Sequence, residues 1–158
     1  MNDDERYMRR AIDLADIAAL DGDVPVGAVL LCGDVMIETH NEKEKTADAT
    51  AHAEMLALRE AARRLGRWRL SDATLYVTKE PCLMCAGAIL AARVGRLVYG
   101  ANDPKGGADG GAFDILRSSK TNHRIEIDAG VLQAETAEQL CSFFEGRRAA
   151  EGIKRAAP

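Results

Sequence analysis

The chain has 158 residues, 47% of them apolar and 29% charged, with a net charge of −4; this is the balance of one ordinary globular domain, 1–158, that needs no disulfides to hold its core. The acidic pI near 5.4 argues against a protein that coats a nucleic-acid duplex. No apolar run approaches the roughly 20 residues that span a bilayer, and the charged start Met1-Asn2-Asp3-Asp4-Glu5-Arg6 has no apolar signal core, so a cytoplasmic protein is expected. In that compartment the four cysteines point to metal ligands, reactive thiols or small core residues before disulfides.

Taken in order, a first helix starts at Asn2 or Asp3, which are good caps with acids in the first turn. Tyr7, Met8, Ala11, Ile12, Ala15 and Ala18 then recur at helical spacing, and Asp21-Gly22-Asp23 ends it. Two short apolar runs, 26–31 and 35–39, flank Cys32-Gly33-Asp34 and read as an antiparallel hairpin. Residues 42–46 are charged and aperiodic, so a loop is expected. A second helix opens at Thr50 or Ala51, runs through Met55, Leu56 and Leu58, and stops at Gly66. A strand at 74–78, a helix at 82–92 with Pro81 at its first position, and a strand at 97–99 follow. A Gly-rich loop at 102–111, a short strand at 125–127 and a last helix at 135–148, with Leu140, Phe143 and Phe144 on its apolar side, complete the chain. Residues 149–158 are expected to form a frayed basic tail.

Strand–helix–strand from 74 to 99 requires a right-handed crossover and parallel pairing. The expected fold class is α/β: a three-layer α/β/α sandwich around one mixed sheet.

Two motifs carry chemistry. The first is His52-Ala53-Glu54 at the start of the second helix, and the second is Pro81-Cys82-Leu83-Met84-Cys85 at the start of the third. Cysteines three apart on a helix share a face and can grip one ion. A helix N-terminus favours thiolates, because its free N–H groups and dipole stabilise negative charge. Two thiolates and a neutral imidazole balance Zn²⁺, and three protein ligands leave one position open for water, as in catalytic zinc. His52, Cys82 and Cys85 are therefore the candidate ligands of one zinc ion. Glu54 lies two residues from His52, about 200° around a helix, so it stands off the metal and is the candidate proton shuttle. A redox pair made by the Cys-x-x-Cys alone remains an alternative, as does a closed structural zinc with a fourth ligand from Cys32, Cys141, His40 or His123. Cys32 and Cys141 read otherwise as core residues.

His-x-Glu followed by Pro-Cys-x-x-Cys resembles the zinc nucleobase deaminases of the cytidine deaminase superfamily. Further segments are similar to the bacterial tRNA-specific adenosine deaminases: Val24-Pro-Val-Gly-Ala-Val29, His40-Asn41, Asp72-Ala-Thr-Leu-Tyr-Val-Thr78, Glu80-Pro-Cys82, Asn122-His-Arg124 and Phe143-Phe144. The resemblance runs from about Tyr7 to Arg148. It implies a five-stranded sheet, a homodimer, and conversion of adenosine to inosine at the wobble position of a tRNA anticodon. It also implies that Asn41 and the Ala53 N–H bond the target base, that Asp103 and Lys105 approach neighbouring nucleotides, and that Phe143 and Arg147 belong to the surface meeting the anticodon stem-loop.

The chain departs from that pattern in places. Glu42 follows His40-Asn41 where a basic residue is usual, and Ala101-Asn-Asp-Pro-Lys-Gly-Gly107 lacks an arginine and a threonine. Fewer cations predict weaker phosphate binding, for which Lys105 and the C-terminal basic residues are candidate compensation. Two rival readings remain: a deaminase of a free base or nucleoside such as guanine or cytosine, and a non-catalytic zinc-stabilised RNA-binding module, which needs a fourth ligand and no Glu54.

Overall fold

The computed structural model describes residues 1–156. Its order is α1 (Asp3–Leu20), β1 (Gly27–Cys32), β2 (Val35–His40), α2 (Lys43–Thr46), α3 (Ala53–Leu65), β3 (Thr74–Lys79), α4 (Leu83–Ala91), β4 (Arg96–Ala101), β5 (Glu126–Ala129) and α5 (Gln133–Ala156). The strands form one five-stranded sheet in the order β2-β1-β3-β4-β5. β1 runs antiparallel to both β2 and β3, whereas β3, β4 and β5 are mutually parallel. The expected hairpin, the crossover and the mixed sheet are all present.

Alternation along the strands divides the core into two layers. Leu75, Val77, Leu97 and Tyr99 point to one face, where Ala57, Ala61, Ala86 and Ile89 of α3 and α4 cover them. Tyr76 and Val98 point to the other, against Met8, Ala11 and Leu14 of α1. α5 joins α1 on that second face, where Gln139 donates to the Ile12 carbonyl at 3.0 Å and Arg9 pairs with Glu135 at 2.8 Å. At Gly27 α1 lies so close to β1 that a Cβ would overlap the Ala11 carbonyl oxygen. Small side chains here let helix and sheet meet at backbone distance.

Several boundaries differ from the expectation. Lys43–Thr46 is not a loop but one helical turn, closed by Ala47 in the left-handed region at φ 51°. α3 starts at Ala53 with an extended His52 as its N-cap, and α4 starts at Leu83 with an extended Cys82 as its N-cap. Both ligand residues therefore precede their helices, and Pro81 lies outside α4. α5 continues past Arg148 to Ala156, so the stretch expected to fray is helical as far as it is described; Ala157 and Pro158 lie outside the described residues. Cys32 is buried as expected, but Cys141 is exposed, because it lies on the part of α5 that no layer covers.

Candidate active site

The parallel strand β3 ends at Lys79, and the chain turns through Glu80 and Pro81 into the N-terminus of α4. The antiparallel strand β2 ends at His40 and leads through Asn41 and α2 into the N-terminus of α3. Both helix N-termini thus open at the same end of the sheet, side by side. Nδ1 of His52 lies 3.5 Å from Sγ of Cys82 and 3.5 Å from Sγ of Cys85. The three ligand atoms lie within 4.8 Å of one another and can hold a metal ion.

Among the described residues no fourth histidine, cysteine or carboxylate joins this group. The candidates for a closed site are engaged elsewhere. Nε2 of His123 lies 2.7 Å from the Val94 carbonyl, Nδ1 of His40 lies 3.1 Å from the Asn41 carbonyl, and Cys32 meets Arg67.

The electrostatics favour an anionic site. Cys82 accepts hydrogen bonds from Cys85 and His52, which pull its thiol down to about 3 despite partial burial. Its thiolate in turn raises the His52 imidazole. The neighbouring thiolate and burial push the Cys85 thiol up. A divalent ion bound there would reverse that direction, since a coordinated thiol is deprotonated.

Glu54 is almost wholly buried, at 3% exposure. Burial raises its carboxyl above the usual range. Its Oε2 has no hydrogen-bond partner, although an isolated buried carboxylate is costly. A buried carboxyl with a shifted pKa and no structural partner in a cleft marks a candidate functional group.

Glu54, His52 and Cys82 line one cleft together with Asn41, Lys43, Lys79 and Glu80. Asn41, buried at 4% exposure, braces it. Its Oδ1 accepts the Ala53 N–H at 2.9 Å and its Nδ2 donates to the Val24 carbonyl at 3.2 Å. The Ala53 N–H is therefore already engaged.

The other expected site residues lie outside the cleft. Asp103 pairs with Lys79 at 2.8 Å and accepts the N–H groups of Lys105 and Gly106. Asp103 and Lys105 line a neighbouring groove against Leu140, Phe144 and Arg148 of α5. Phe143 lies on a different face of α5, against Ile12 and Pro25. Arg147 covers the Phe143 ring at 4.6 Å and donates to the Gly22 carbonyl at 3.0 Å.

Sequence reasoning assigned no role to Glu80. This carboxylate, 2% exposed, accepts the N–H groups of Asp103, Asp109 and Gly111 and so ties the Gly-rich loop to the cleft wall. Gly107 leaves it room, since a Cβ there would overlap Glu80 Oε2. An acid at a strand end immediately before the cysteine motif, facing a Gly-rich loop, was the available signal.

Comparison with known proteins agrees with this geometry. Residues 2–147 match the model of the MafB19-like deaminase family. The chain is 47% identical over 149 residues to a tRNA-specific adenosine deaminase of Bacillus subtilis, covering 94% of this chain and 92% of the relative. It is 46% identical to the enzyme of that name from Haemophilus influenzae, covering 97% and 90%. A solved structure from work on A-to-I editing by tRNA:A34 deaminases at the wobble position of transfer RNA superposes with a TM-score of 0.80 at 42% identity, covering 85% of this chain and 99% of that one. The chain belongs to the MafB19-like deaminase family and, within it, to the tRNA-specific adenosine deaminases.

Proposed function

We propose that this protein is a hydrolase that converts adenosine to inosine at the wobble position of a tRNA anticodon, with one Zn²⁺ per subunit held by His52, Cys82 and Cys85. The observation that carries the reading is the buried, unpartnered Oε2 of Glu54 in the same cleft as a three-ligand cluster that, among the described residues, no fourth residue closes.

The residues present fit zinc. Tetrahedral bonds of about 2.3 Å to sulfur and 2.0 Å to nitrogen put nitrogen and sulfur about 3.5 Å apart, and the two measured separations are 3.5 Å. A soft donor set with one place left for water is that of catalytic zinc. The ion, once bound, supplies Lewis acidity that makes a water nucleophilic near neutral pH.

Glu54 takes a proton from the water that attacks C6 of adenine and passes it to the ring nitrogen. It then takes the proton of the new C6 hydroxyl and passes it to the amine as the C6–N bond breaks, so that ammonia leaves, C6 becomes a carbonyl and Glu54 ends as the carboxylate it began as. Its raised carboxyl suits both directions of transfer. Asn41 keeps one N–H and one lone pair beyond its two bonds and presents them to the base, whereas the Ala53 N–H acts through Asn41. An anticodon loop already splays its bases, so little unstacking is required.

The protein acts as a cytoplasmic homodimer in this reading. The apolar groove between α3 and α4, lined by the half-buried Met55 and Ala88 and rimmed by the exposed Trp68, supports a second copy covering that face. The test is to offer the zinc-loaded protein an anticodon stem-loop with a wobble adenosine and, separately, free guanine, cytosine and adenosine. Inosine in the stem-loop supports the assignment. Ammonia released only from a free base overturns it.

A further inference from the structure

The catalytic cleft is small, about 80 Å³. A polynucleotide that places one base in it has to carry its flanking nucleotides outside. Beside it runs a groove of about 620 Å³ between residues 102–106 and α5. Lys79 lines both cavities. It is the last residue of β3, three positions before Cys82, so its backbone is fixed relative to the metal cluster.

The charges in the groove are unevenly spent. Asp103 is already satisfied by Lys79 and by two backbone N–H groups. Among the described residues Lys105 and Arg148 make no ion pair, although both line the groove. Phe144, 37% exposed, offers an aromatic face on the same wall. Cations beside an exposed ring suit a single-stranded backbone with its bases turned aside. The Lys79–Asp103 pair lies in the groove wall, at 28% and 15% exposure, and Asp103 keeps the N–H groups of Lys105 and Gly106 when the ammonium turns to another anion.

We propose that Lys79 is a phosphate-binding residue. When a target base enters the cleft, its ammonium leaves Asp103 for a phosphate of the flanking single strand, which continues along the groove past Lys105, Phe144 and Arg148. This rests on the RNA-loop reading above. It places the cation missing from the 102–107 loop one strand away, on β3.

The test measures binding of an anticodon stem-loop to zinc-loaded Glu54→Gln protein, which reads affinity without turnover, across a salt series. Lys79→Leu in that background weakens binding roughly fivefold at low salt and reduces the slope of log K against log salt by about 0.7, the release of one counterion from a single strand. Lys79→Arg restores both, which a loss of fold would not allow. An unchanged slope and affinity in Lys79→Leu overturns the role of Lys79 alone. Failure of the parent protein to bind the stem-loop overturns the RNA-loop reading, and this inference with it.

Discussion

Asn41 Oδ1 accepts the Ala53 backbone N–H at 2.9 Å, joining the end of β2 to the first residue of α3, between His52 and Glu54. One side chain thereby sets the positions of His52 and Glu54 together. Asn41→Ala leaves a buried N–H without an acceptor, a loss of about 1–3 kcal/mol. Thermal denaturation should show a lower Tm, and kcat/KM should fall further than stability alone explains, because the side chain also lines the cleft. Unaltered kcat/KM would remove Asn41 from the site.

Glu80 should control the Gly-rich loop. Glu80→Ala strips the N–H groups of Asp103, Asp109 and Gly111 of their acceptor. Hydrogen exchange at those three amides is expected to accelerate, while the amides of β3 and β4 stay protected. Equal protection in variant and parent would mean that the loop holds itself in place.

Asp4 supplies a pH-dependent contribution to stability. The Arg96 guanidinium bonds both of its oxygens, at 2.9 and 2.8 Å, and holds its carboxyl below the usual range. A group with a lowered folded pKa stabilises fully above its unfolded value, about 3.9, and loses that contribution as pH falls through the folded value. Asp4→Asn should therefore cost about 1 kcal/mol at pH 7, with the Tm difference from the parent shrinking as pH drops below 4. A difference that persists at pH 2 would show that packing, not charge, is responsible.

Gly27→Ala should be severely destabilising, since the new methyl would overlap the Ala11 carbonyl in the contact between α1 and β1. Relief requires the helix to shift, at a cost of about 1–3 kcal/mol or more. Chemical denaturation of the purified variant checks this, and a midpoint equal to the parent's would contradict the close approach.

The parts of the site legible in the sequence were those written in short spacings. His52 and Glu54 are two apart and Cys82 and Cys85 three apart, and the helix periods put each motif at the start of a helix, whereas the meeting of the two helix starts depends on the sheet order. What escaped depends on contacts across long separations. Glu80 is recognisable only once the 102–111 loop folds back over it, and Lys79 only once Asp103 faces it. Phe143 and Phe144 are adjacent, about 100° apart on a helix, so the apolar pattern could not say which ring faces which groove. The single turn of α2 is too short to have a period, and α5 outruns its apolar pattern because its last turns are exposed and polar.

The proposed chemistry pairs a metal held by His52, Cys82 and Cys85 with Glu54 as proton carrier. Zinc content and inosine formation measured on one preparation of Glu54→Gln test it most directly. Zinc at the parent's stoichiometry is expected, with inosine formation in the stem-loop reduced by about 10²-fold or more. Full zinc with undiminished inosine would contradict it.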